Sequence, residues 1–232
     1  MKFFKYVYYF FYIATNWNIK LAMFILKYER RGESKYNIDT IGFDQLKKLK
    51  KDGIDISHAT LYMPVSYYVL SKAFKHLPTS SKNHFIDIGA GKGRALCVAA
   101  SKGFKKVTGV EFSPEMCDIA TINLEVIKKE RRPRFEYTLC NIDAANFEIP
   151  DDADCIFFFN PFDDIKMKQV VNNIKISLEK FPRDMVIMYA NPLYNNLLYN
   201  IGFAERYYSC KMDFLELSIL SNRKKSLDSR ES

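Results

Sequence analysis

The chain has 232 residues, 48% of them hydrophobic, and carries a net charge of +8. That length fits one large domain, or one domain with an appendage, and that apolar content argues against wholesale disorder. The five cysteines are scattered, without a Cys-x-x-Cys or Cys/His cluster, which argues against a disulfide framework or a zinc site and points to reduced thiols in a cytoplasmic protein.

Residues 1–51 form the first zone, an aromatic-rich helical extension. Tyr6–Ile19 runs without a charge, but it is shorter than the roughly 20 residues needed to cross a bilayer, and Lys20 and Lys27 interrupt any longer span. A signal peptide also fits poorly, because the run is rich in tyrosine and no small-residue cleavage site follows. From Ile19 onward, Leu21, Phe24, Ile25 and Tyr28 recur at helical spacing. Two readings stand: helices that pack on the main domain or on a second chain, and an interfacial helix that makes peripheral contact with a membrane surface. The lysine-rich runs Lys47–Lys51 and Lys128–Arg134 read as solvated surface, with a nucleic acid or an anionic membrane as the alternative partner.

Residues 52–221 alternate strand-like and helix-like patterns. The runs HFIDI, KVTGV, FEYTL, DCIFFF and DMVIMY are short, apolar and β-rich. Helical stretches lie between them, one starting after Ser113 as an N-cap and one over DDIKMKQVVNNIKISLEK. Nearly continuous apolar strands separated by helices predict an α/β domain with a doubly wound, mostly parallel sheet. The last two runs, Phe203–Ser209 and Asp213–Leu220, are separated only by Cys210–Met212, which predicts an antiparallel hairpin. Residues 222–232 are polar and predict a disordered tail.

The chemistry concentrates after the first of these runs. Asp87-Ile-Gly89-Ala90-Gly91-Lys-Gly93 leads from strand to helix, and glycines there let a ligand approach the backbone and the helix N-terminus. A dinucleotide site wants Gly-x-Gly-x-x-Gly, whose third glycine position is Arg94 here. The loop instead resembles the first motif of the class I S-adenosylmethionine-dependent methyltransferases, including bacterial members. The resemblance covers Tyr62 to Leu220 and implies a seven-stranded sheet ending in an antiparallel pair.

It also implies S-adenosylmethionine as cofactor and a set of residues to hold it. Asp87 engages the ammonium of the methionine end, beside Gly89, Ala90, Gly91 and Gly93. Glu111, about 20 residues past the glycines, accepts the ribose hydroxyls with Phe112 next to it. Asp143 faces the adenine amino group and Ile142 packs on the ring; on its residues alone, Asp143 reads equally as an N-cap.

Asn160-Pro161-Phe162 ends the fourth strand, where the sulfonium methyl lies in this class. The stretch is similar to the Asn-Pro-Pro-Tyr/Phe motif of amino-methylating members, minus the second proline. The asparagine oxygen would orient the target nitrogen and the ring would cover the substrate; a strand-ending Asn-Pro turn is the alternative. Tyr62, Pro64 and Ser66 resemble the Tyr-x-Pro segment that closes over the cofactor in seven-strand lysine methyltransferases, while helix-initiating and core roles suit them too. The expected acceptor is a protein amine, lysine, in preference to an RNA or DNA adenine. A scaffold or membrane-surface protein with a vestigial pocket is the reading of another class.

Overall fold

Five of the apolar runs form parallel strands: β1 (His84–Ile88), β2 (Lys106–Val110), β3 (Glu136–Cys140), β4 (Cys155–Phe159) and β5 (Val186–Ala190). Two more, β6 (Ala204–Lys211) and β7 (Leu215–Ser221), pair antiparallel. The computed structural model describes residues 2–41, 63–78, 82–131, 134–159 and 162–223. Tyr62, Asn160, Pro161, the Lys47–Lys51 run, the expected boundary after residue 51 and the tail beyond residue 223 lie outside the described residues.

The seven strands form one sheet in the order β3-β2-β1-β4-β5-β7-β6. The chain runs outward from β1 through β2 to β3, then returns to the other side of β1 as β4. That reversal leaves a crevice beyond the carboxyl ends of β1 and β4, where ligands of such sheets bind. Side chains alternate across the sheet. Phe85 and Phe157 join one core cluster, whereas Ile86, Ile88, Ile156 and Phe158 join the cluster on the opposite face.

Helices α3 (Tyr67–His76), α4 (Arg94–Ser101), α5 (Pro114–Arg131), α6 (Asp164–Lys180) and α7 (Asn195–Tyr199) flank these strands. Ser113 caps α5 through a bond from Met116 N to its Oγ, and Asp163 caps α6 through Lys166 N. The hairpin turn falls at Met212–Phe214, later than the spacing predicts, with Met212 and Asp213 both at positive φ. β7 lies between β5 and β6, so the last strand pairs inward and the penultimate one forms the edge. Asn222, expected in the polar tail, instead bonds Met185 N and Arg183 O and fixes the end of β7.

The N-terminal zone forms two helices, α1 (Lys2–Asn16) and α2 (Ile19–Tyr36). Asn18 breaks the pair and caps α2, its Oδ1 accepting from Leu21 N at 2.8 Å. Tyr9, Ile13, Leu21, Ala22 and Ile25 bury their side chains in a cluster of their own. Full burial of a large apolar side chain stabilises by about 1.5–3 kcal/mol, so this hairpin is held down firmly. Gly32 is required where α2 meets α3: a Cβ there would stand 2.2 Å from Cγ of the Tyr67 ring.

Candidate active site

The glycine turn hangs from the sheet by its backbone. Gly89 N and Ala90 N both donate to Val110 O, at 2.9 and 3.0 Å. Gly89, Gly91 and Gly93 all take positive φ (83°, 51° and 75°), where side chains are disfavoured. Gly93 also starts α4 against α5: a Cβ on it would meet Ala120 Cβ at 2.9 Å.

Two carboxylates stand beside the turn. Glu111 follows β2 and is buried; its Oε2 accepts from Gly91 N at 2.8 Å and its Oε1 from Ser113 N at 3.0 Å. It therefore ties the turn to the adjacent strand end. Asp87, only 4% exposed, lies in β1 on the same sheet face as Phe85. Burial, with the charge of Glu111 added, pushes its carboxyl up to about 8. A buried acid in this condition favours the arrival of a positive charge, so the pair fits a ligand with an ammonium and a diol.

The third carboxylate, Asp143, follows β3. Its Oδ1 accepts from Ala145 N at 2.9 Å, capping a 3-10 turn at Ala144–Asn146, and its Oδ2 pairs with Lys166 Nζ at 2.6 Å. The capping role read from sequence is thus present, together with a cation that sequence reasoning missed. Ile142 beside it is exposed and Phe112 is half-buried.

Phe162 is 8% exposed and packs in the core with Met167, Val170 and Val171. Its ring therefore lies inside the protein in this structure and not over an open surface. Pro64 is buried, and Ser66 caps α3 by accepting from Tyr68 N at 3.2 Å.

A cavity of about 190 Å³ opens next to the end of β4. Its walls include Tyr9 and Trp17 from the N-terminal hairpin, Met63, Phe159, Asn191 after β5, and Phe214 from the last turn. Asn191 holds φ at 51°, a conformation asparagine tolerates better than most residues. The N-terminal helices thus roof the space beside the fourth strand.

Sequence reasoning also missed what ties those helices to the glycine turn. Arg94, first residue of α4, is buried and sends Nη1 to within 2.7 Å of Glu29 Oε2 and Nη2 to within 3.4 Å of Glu33 Oε1, both on α2. The same guanidinium donates to Thr40 Oγ1 at 2.6 Å and to Val65 O at 2.7 Å, and lies 4.2 Å from the centre of the Tyr67 ring. Lys92 Nζ donates to Ile41 O, and Asn123 Nδ2 to Lys92 O. Glu29 and Glu33 are four residues apart on one helix face, which was the available signal.

Residues 85–180 match the family described as "Methyltransferase domain". No curated protein matches the sequence. Among solved structures, a Listeria monocytogenes protein inferred to be an S-adenosylmethionine-dependent methyltransferase superposes with a TM-score of 0.53 at 12% identity, covering 68% of this chain and 96% of its own. The StiE O-MT segment 961–1257 gives 0.53 at 12% identity, covering 69% of this chain and 75% of that one. The small RNA methyltransferase HEN1 gives 0.55 at 16% identity, covering 70% of this chain and 26% of that one. At such identities the superpositions establish a shared fold, and the names attached to them span different acceptors.

Proposed function

We propose that this chain is a class I methyltransferase that methylates a protein amine, a lysine side chain, with S-adenosylmethionine as the donor. When bound, that cofactor supplies a methyl group on a positively charged sulfur. Asp87 would receive its ammonium, Glu111 its ribose hydroxyls and the glycine turn its backbone contacts. The buried acid with the raised pKa and the glycine-bound carboxylate suit those partners.

The observation that carries the choice of acceptor is the cavity at the end of β4, walled by aromatic and aliphatic side chains with the carboxylates of Asp213 and Glu216 among them. An alkyl stem packs against such walls, and rings hold an approaching ammonium. A lysine must lose its proton before it can accept a methyl group; desolvation in the cavity lowers an amine pKa, while the Asp213 and Glu216 carboxylates first attract the ammonium and oppose that shift. Asn160, which follows Phe159 in sequence, would then orient the nitrogen. The buried position of Phe162 removes that ring as a surface on which an adenine could stack.

Incubating a fractionated lysate with methyl-labelled cofactor tests this reading. Label recovered as methyllysine after protein hydrolysis is the expected result. Label that enters RNA and resists protease would overturn it.

A further inference from the structure

The inner faces of α1 and α2 meet the core, but their outer faces carry a second pattern. Phe4, Val7, Tyr8 and Phe11 recur along α1 at helical spacing and are exposed, Phe11 by 60%. Ile19 and Met23, the latter 63% exposed, extend this surface onto α2. A groove between the helices is lined by Val7, Phe10, Phe11, Leu26 and Arg30. Around these apolar groups Lys20, Lys27, Arg30 and Arg31 are exposed.

The acidic side chains decide what this surface suits. Within residues 1–36 the only acids are Glu29 and Glu33. Both are buried and turned inward onto Arg94. Among the described residues, the exposed side of the hairpin therefore presents aromatic and aliphatic groups among cations, with Asp39 pairing with Lys5 of α1. No helix among the described residues is long and apolar enough to cross a membrane.

We propose that the outer face of the α1–α2 hairpin docks on an anionic lipid bilayer, lying in the plane of its surface. Apolar side chains enter the boundary between headgroups and acyl chains, while Lys20, Lys27 and Arg30 meet lipid phosphates. A second copy of this chain is a poorer occupant, because a two-fold contact would set this cationic face against itself. A single-stranded nucleic acid would use the cations and rings, but Val7, Ile19 and Met23 offer it no stacking face. The inference rests on the hairpin alone and holds whichever acceptor is methylated.

Flotation of the full-length protein with vesicles provides the test. Phosphatidylcholine vesicles are compared with phosphatidylcholine–phosphatidylglycerol vesicles, at low and high salt, for wild type, a Phe11→Asp/Met23→Asp variant and a Lys27→Glu/Arg30→Glu variant. The expected result is binding to the anionic vesicles at least about tenfold tighter than to neutral ones, weakened by salt. Each variant should lose about tenfold or more while its thermal midpoint and circular dichroism stay at wild-type values. The charge-reversal variant preserves the test should the first fail to fold. Absence of vesicle binding would overturn the proposal, as would variants that bind like wild type. Tighter binding to a single-stranded RNA, or a wild-type dimer that the same substitutions dissolve, would assign the surface to those partners instead.

Discussion

Arg94 Nη1 lies 2.7 Å from Glu29 Oε2, joining the first residue after the glycine turn to a helix 65 positions earlier in the chain, with both side chains buried. A guanidinium held this way makes the N-terminal hairpin part of the cofactor-side architecture. Replacing Arg94 by Met would leave Glu29 and Glu33 buried without their cation. Such a loss costs about 3–5 kcal/mol, to be read from the urea midpoint. A loss under about 1 kcal/mol would mean that water reaches the two carboxylates.

Glu29 itself supplies a pH signature. Burial pushes its carboxyl up to about 7, against an ordinary 4.5, although Arg94 pulls the other way. The folded state then binds a proton more tightly than the unfolded one, so this group's contribution is complete below 4.5 and is lost as pH rises through about 7. Glu29→Gln copies the protonated form. Its stability relative to wild type should therefore improve as pH rises across that window, in denaturant melts at fixed salt. A gap that stays constant with pH would assign the ionised form to Glu29 throughout.

The same logic applied to Asp87 predicts how ligand binding depends on pH. With its carboxyl at about 8, Asp87 is mostly protonated at neutral pH and must give up that proton to receive an ammonium. Affinity for S-adenosylmethionine should rise with pH, approaching about tenfold per unit well below 8, and pass through a maximum once the ligand's own ammonium begins to lose its proton. Asp87→Asn should bind more weakly at high pH and without that rise. Calorimetry in two buffers of different ionisation enthalpy would also register the released proton. Equal pH profiles for wild type and variant would remove Asp87 from the site.

Much of this was legible beforehand because local patterns report local structure. Short, apolar, β-rich runs read as strands, and Ser113 announced the helix that it caps. What escaped depends on contacts distant in sequence. Arg94 first stood out as the residue occupying a dinucleotide glycine position, and only packing shows it pointing at α2. The turn at Met212–Phe214 lacks glycine, so its two positive φ angles left no signature and the strand ends were placed too early. Phe162 follows Asn-Pro and read as a substrate cover, but α6 draws its ring into the core with Met167.

Glu111 holds Gly91 N and Ser113 N, so substitution there should affect both shape and ligand. Glu111→Ala should weaken binding of S-adenosylmethionine by about 1–3 kcal/mol through lost charge-assisted bonds. The thermal midpoint of the ligand-free protein should fall as well, because two buried N–H groups lose their acceptor. Glu111→Gln, which keeps one acceptor oxygen, should recover part of the midpoint but less of the affinity. Wild-type affinity in Glu111→Ala, by calorimetry, would place the ribose elsewhere.

In the proposed function, Asn160 is the residue at which binding would pass into chemistry. Methyl transfer is an in-line displacement, so the acceptor lone pair must point at the methyl carbon from the side opposite the sulfur. An asparagine oxygen and the neighbouring backbone carbonyl can accept the N–H groups of an amine and set that direction. Those bonds strengthen as the nitrogen becomes cationic, so they stabilise the transition state more than the ground state. Asn160→Ala should accordingly leave cofactor affinity within about threefold and lower turnover by roughly 10²-fold or more. Phe159, the residue before it, lines the cavity, so Phe159→Ala should act on the acceptor and chiefly raise its apparent KM. Phe162→Ala should behave differently from both, lowering stability by about 3–5 kcal/mol as a core truncation, because its ring is buried. Calorimetry, steady-state kinetics on the labelled acceptor and urea melts separate the three. Equal loss of cofactor binding and turnover in Asn160→Ala would mark the residue as structural, and wild-type turnover would move the chemistry away from the end of β4.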